Sequence, residues 1–186
     1  MAERAIAGLG TLDMERLRAG LDAWQANAAE PLARHEWTPA YLRYPLLDFR
    51  ETPPPWTAPP ADLRRARVAL IGSAGLYARG QSSYDAENPL GDYTFRALPS
   101  GMDLRETGIA HDHFDSTAAR EDRNAVFPLE RLRELAEAGE IGGLTPHAFA
   151  FMGYQPNYVT LIERFIPDLL DAVMADRPDA AMLVPV

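Results

Sequence analysis

Residues 67–75 read RVALIGSAG, a short apolar run that stops at Ser73, Ala74 and Gly75. Val68 to Ile71 leave no polar side for solvent, which is the pattern of a strand buried on both faces and leading into a loop. Such strands belong to parallel sheets, which need neighbouring strands and covering helices.

The sequence downstream supplies both. YTFRALP (93–99) and HAFAFM (147–152) read as strands. Between them, Pro128 is placed as the first residue of a helix through LERLRELAEA, with Leu129, Leu132 and Leu135 on one side and Gly139 as terminator. Tyr158, Leu161, Ile162, Phe165, Leu169 and Val173 then form a wide helical stripe, which Pro167 is expected to kink or divide. AAMLVPV (180–186) reads as a further buried strand. Strand, helix, strand implies a right-handed parallel crossover, so the expected fold is a layered α/β domain with an open, mostly parallel sheet. Ligands in such sheets gather at the carboxyl ends of the strands. No helix sequence follows AAMLVPV, so the sheet is expected to be incomplete on its C-terminal side.

Upstream, Met14, Leu17, Leu21 and Trp24 recur at helical spacing with Thr11 as the expected cap. Five prolines between Pro53 and Pro60 then favour a stiff, extended connection. Residues 1–63 are thus expected to form a helical, Pro-rich arm and residues 64–186 the α/β domain. Trp37, Tyr41, Tyr44, Phe49 and Trp56 suit an arm that packs on that domain's own core, the alternative being a partner-binding arm.

Composition narrows the function. Eighteen basic against twenty-seven acidic residues leave a net charge of −9, which disfavours nucleic acid and anionic membranes as partners. No run approaches the roughly 20 apolar residues of a membrane span, and the first residues lack a signal-peptide pattern, so a soluble cytoplasmic protein is expected. Cysteine is absent, which excludes disulfides, thiolate metal sites and a cysteine nucleophile from these 186 residues.

The densest chemistry lies in HDHFDSTAAREDRN (111–124), which holds two of the four histidines. If residues 111–115 are extended, His111, His113 and Asp115 share a face and could bind a divalent metal. The spelling His-x-His-x-Asp resembles the zinc motif of metallo-β-lactamase-like hydrolases, although Ser116 stands where that family expects another histidine and only His147 remains downstream. Alternatively the histidines cap the end of a sheet, with Asp115, Glu121 and Asp122 in a solvated helix start. The third reading is a polar active-site loop in which an imidazole exchanges protons. Two further segments belong to the candidate pocket. Ser73, Ala74 and Gly75 are either a simple strand exit or a source of backbone amides for a carboxylate, and Gly153 with Tyr154 follow the FAFM strand. The polar segment from Tyr77 to Asp92 is too long for a simple connection and is expected to be functional.

Together, PPPW, RVALIGSAGLYARGQ, ENPLGDYTFRALP, the HDH block through EIGGL, FMGYQPN and AAMLVPV resemble the selenocysteine-bearing small subunit of the glycine, sarcosine, betaine and D-proline reductases, the D-proline type most of all. The resemblance extends from about Pro53 to the last residue. It implies an oxidoreductase subunit that works with a larger pyruvoyl-bearing subunit and a thiol electron donor to cleave a carbon–nitrogen bond next to a carboxylate, in an amino acid or related amine. It also implies a selenocysteine, or a replacing cysteine, just after LVPV. Because UGA encodes selenocysteine and ordinarily stops translation, the 186 residues are expected to be the N-terminal part of a longer selenoprotein, without selenol chemistry of their own. His111 and His113 would then be the catalytic imidazoles, and Ser73, Ala74, Gly75, Asp115, Gly153 and Tyr154 the substrate-binding positions. Metal-dependent hydrolysis through His111, His113 and Asp115, and a non-catalytic binding module, are the alternatives.

Overall fold

Alternate side chains of β1 (Arg67–Gly72) enter two different cores. Val68 and Leu70 pack with Leu98, Phe127, Leu129, Leu132, Ala148 and Ala150, whereas Ala69 and Ile71 pack with Phe149, Leu169 and Val173. The uninterrupted apolar run therefore marks a central strand, as the sequence predicts.

The computed structural model describes residues 13–47, 57–110 and 115–186. These begin with α1 (Met14–Ala33) and α2 (Trp37–Tyr41). After β1 come β2 (Leu76–Ala78), β3 (Phe95–Pro99), β4 (Thr107–Ile109), α3 (Thr117–Glu121) and α4 (Leu129–Glu137). The chain continues through β5 (Gly143–Leu144), β6 (His147–Phe151), α5 (Tyr158–Thr160), a π-helical turn (Leu161–Phe165), α6 (Ile166–Ala175) and β7 (Ala180–Val184).

On one side β1 pairs in parallel with β7, from Val68 opposite Ala180 to Gly72 opposite Val184. On the other it pairs in parallel first with β5 and then with β6, where Ile71 faces Phe149. The antiparallel β3 closes that side against β6. The sheet is open and mostly parallel, with α4 on the Val68–Leu70 face and α6 on the Ala69–Ile71 face. A separate antiparallel pair, β2 with β4, rises from the carboxyl end of β1.

Several local expectations shift. The residue that caps α1 is Asp13, whose carboxylate accepts from the Arg16 amide at 3.0 Å; Thr11 lies outside the described residues. Pro128 occupies the cap of α4 rather than its first turn, while Gly139, at φ +72°, ends the helix as expected. The stripe after Tyr158 is divided by the π-helical turn, and Pro167 sits in the first turn of α6 directly after it. AAMLVPV does form a strand, but an edge strand and not a buried one: Leu183 is 71% exposed. Among the described residues β7 has a neighbouring strand on one side only, and the face to which Leu183 points is not covered there.

The arm packs as a wrapping segment. Trp24 of α1 is buried against Tyr41 and Tyr44 and donates its indole N–H to the Ala40 carbonyl at 2.7 Å. Tyr44 donates to the Pro156 carbonyl at 2.6 Å, and Tyr158 and Val159 share the same core. Phe49 and Trp56 lie outside the described residues.

Candidate functional site

The parallel strands β1 and β7 end side by side, and Ser73 joins their exits to that of β6. Its amide donates to the Val184 carbonyl at 3.1 Å, and its carbonyl accepts from the Gly153 amide at 2.9 Å. Its hydroxyl oxygen accepts from the amide of Val186 at 2.8 Å. Gly75 donates to the Phe151 carbonyl at 2.8 Å and turns at φ +68°, a conformation that glycine adopts without strain. The Ser73 and Gly75 amides are thus engaged within the sheet, and Ser73 and Ala74 are buried. This geometry is a strand exit. It also makes a rigid rim at the end of the sheet where open α/β folds place ligands.

The residue that precedes the HDH block in sequence, Ala110, is attached to this rim. β4 pairs with β2, and the Ala110 amide donates to the Gly75 carbonyl at 3.0 Å. His111 and His113 themselves lie outside the described residues. Beyond them, Asp115 accepts from the Thr117 amide at 3.0 Å at the start of α3, and hydrogen bonds from Thr117 hold its carboxyl below its ordinary pKa. Asp122 caps the next turn through the Asn124 amide. Both carboxylates are exposed, in keeping with a solvated helix start.

Asp115 and Tyr154 meet across a cleft of about 710 Å³, with His35, Trp37, Glu87 and Asn88 on its other walls. The Tyr154 hydroxyl donates to the Pro89 carbonyl at 2.9 Å and accepts from Tyr41 at 2.7 Å. The turn facing it needs a glycine: at Gly91, φ is +80° and a Cβ would stand 2.2 Å from the Tyr154 carbonyl oxygen. Burial raises the pKa of Tyr154, and burial followed by the hydrogen bond to Tyr154 raises that of Tyr41, so both remain protonated donors at neutral pH. The structure therefore divides the predicted positions between two neighbouring places. Ser73, Ala74, Gly75 and Gly153 form the rim, and Asp115 and Tyr154 line the cleft.

Among the described residues no group of three or more metal-ligating side chains comes together. His147 opens β6, and its Nδ1 lies 3.1 Å from Asp176 at the end of α6. The long segment after β2 is anchored by buried Tyr84, whose hydroxyl hydrogen is shared between the carbonyls of Leu76 and Ala150 at 2.9 and 2.7 Å. Sequence reasoning missed His35 and the role of Trp37 as cleft walls, because neither falls in a periodic pattern. The only available signal is the cluster of aromatic side chains around them.

Residues 37–185 match the family model described as glycine/sarcosine/betaine reductase selenoprotein B. The chain belongs to this selenoprotein B family. The match begins at Trp37, ahead of the Pro53 boundary expected from sequence, so α2 and its aromatic side chains fall inside it. The chain is 29% identical to D-proline reductase subunit gamma of Acetoanaerobium sticklandii over 133 residues, which are 71% of this chain and 54% of that protein. It is 33% identical to glycine reductase complex component B subunit gamma of Symbiobacterium thermophilum over 131 residues, 69% of this chain and 30% of the relative. The chain thus spans about half of the first relative's length and about a third of the second's. No solved structure gives a significant match. Among the described residues no helix is long and apolar enough to cross a membrane.

Proposed function

We propose that this chain is the N-terminal part of a cytoplasmic reductase subunit that cleaves the carbon–nitrogen bond next to the carboxylate of an amino acid or related amine. The observation that carries the reading is the bond from the Val186 amide to Ser73 Oγ at 2.8 Å. It holds Val186 at the carboxyl end of the sheet beside Ser73, which supports a nucleophile following Val186 in the crevice bounded by Ser73–Gly75 and Gly153. A selenolate or thiolate there supplies the nucleophile that a cysteine-free chain lacks. In the balanced reaction the C–N bond gives way to a C–H bond, the amine nitrogen gains a proton, and a pair of thiols on the electron donor is oxidised to a disulfide.

The remaining roles follow from placement. In sequence His111 and His113 are flanked by Ala110, which is bonded to Gly75, and Asp115, which lines the Tyr154 cleft. As imidazoles they suit the steadying of an anionic nucleophile and proton donation to the departing amine. Ser73, Ala74, Gly75, Gly153, Tyr154 and Asp115 bound the substrate. Residues 64–186 form the reductase domain, and residues 1–63 the arm that buttresses it through the Tyr41–Tyr154 bond. The names of the relatives as subunits and complex components support partner subunits, and in this proposal a larger, pyruvoyl-bearing one supplies the carbonyl group that engages the amine.

The test restores the frame. The gene is expressed with a cysteine or selenocysteine codon after Val186, together with the pyruvoyl-bearing subunit, and D-proline, glycine, sarcosine and betaine are assayed for amine or ring-opened product and for thiol oxidation. Turnover by the extended chain and none by residues 1–186 is the expected result. Equal turnover by both would show that the redox group lies elsewhere.

A further inference from the structure

Among the described residues, β7 leaves two surfaces uncovered. Its outer edge has no neighbouring strand among the described residues, and Met182 and Leu183 are 41% and 71% exposed. In addition, a groove of about 1000 Å³ runs between α6 and β7, lined by Leu169, Leu170, Val173, Met174 and Leu183 and bordered at one side by residues 57–60 at the end of the arm. A parallel strand with an apolar face open to water is unusual, since parallel sheets are covered on both sides.

The topology identifies the face on which a cover would lie. Ala181 and Leu183 pair with Ala69 and Ile71, so they point to the face that carries α6. From β1 the chain moves to β5 by way of α4 on the Val68–Leu70 face, and from β6 it returns past β1 to β7 by way of α6 on the opposite face. Opposite directions on opposite faces are crossovers of the same hand, as the right-handed rule requires. A next crossover, continuing outward from β7 to a new edge strand, must therefore pass over the α6 face. That is where the apolar groove lies.

We propose that the groove is the seat of a helix formed by the polypeptide that follows Val186 in the full-length protein, and that this helix leads to a strand pairing with the outer edge of β7. The inference rests on the reading that the protein continues past Val186, and the greater length of its relatives supports it. The helix presents its apolar side to Leu170, Met174 and Leu183 and holds the residue after Val186 against the Ser73 rim.

Two proteins test it: residues 1–186, and the full-length chain with cysteine at the codon after Val186. Amide hydrogen exchange is followed over α6 and β7, and each protein is also made as Leu183→Asp. The expected result is slower exchange of both elements in the full-length chain. Leu183→Asp should lower the Tm of the full-length protein by more than about 5 °C and leave that of the short chain within about 1 °C. Unchanged exchange in a full-length chain that still supports reductive cleavage would overturn the groove assignment alone. Slowed exchange that depends on the concentration of residues 1–186 would assign the groove to a second copy instead. Absence of any in-frame sequence beyond Val186 would overturn this inference together with the reading on which it rests.

Discussion

Ser73 and Val186 are 113 positions apart in sequence, and the hydroxyl oxygen of one accepts from the backbone amide of the other at 2.8 Å. The bond lies where three strand exits converge, because the Ser73 backbone also pairs with Val184 and Gly153. Ser73→Ala removes the acceptor while keeping the strand exit. It should cost about 1 kcal/mol of stability and, if the proposed function holds, lower the turnover of the full-length protein at least tenfold. Parallel measurement of Tm and kcat checks both halves, and an unchanged kcat would remove Ser73 from the positioning of the site.

Gly91 should not tolerate a side chain. A methyl group there collides with the Tyr154 carbonyl, and φ +80° adds strain. Gly91→Ala is expected to destabilise the protein by about 1–3 kcal/mol and to loosen the Tyr154 wall of the cleft, visible as a lower Tm and greater quenching of Trp37 fluorescence. Full native stability would show that the turn can move away from Tyr154.

Tyr84 fastens the long segment after β2 to the centre of the sheet. Tyr84→Phe leaves the carbonyls of Leu76 and Ala150 without the shared hydroxyl hydrogen, at an expected cost of about 1–3 kcal/mol. Denaturant unfolding measures it, and the midpoint should fall without a change in slope.

The tyrosines that join arm to domain predict alkaline sensitivity. Burial, with nearby tyrosines adding to it, pushes the Tyr44 hydroxyl from 10.0 up to about 12, and Tyr41 and Tyr93 shift in the same direction. A folded pKa above the unfolded value means that the folded state holds its proton more tightly. The associated stability is fully present below pH 10 and is lost as the pH rises from there towards 12. Stability should therefore decline over that window, with phenolate absorbance appearing together with release of the arm. Tyr44→Phe should flatten the decline; an equally steep one would show that other groups cause it.

The α/β architecture was legible because RVALIG, HAFAFM and AAMLVPV are apolar runs, and the LERL and YVTLIERF segments carry helical stripes. Their order alone implies parallel crossovers. What sequence left out concerns neighbours. Nothing in AAMLVPV distinguishes a central strand from an edge strand, because both faces are apolar and Leu183 is exposed only because the described residues leave its face and outer edge uncovered. The cleft was half legible: Tyr154 and Asp115 stood out by position and charge, whereas His35, Trp37 and Gly91 acquire meaning only when α2 folds back onto the 85–92 loop. The division of the helix after Tyr158 was expected, but its form was not, since a π-helical turn has no simple residue signature.

The proposed nucleophile is the residue following Val186, and reading the gene in frame through that codon decides whether it exists. The prediction is a UGA codon followed by an open frame with a nearby cysteine codon and an RNA hairpin suited to selenocysteine insertion, or a cysteine codon in the same place. A UAA or UAG codon with no coding sequence beyond it would contradict the claim.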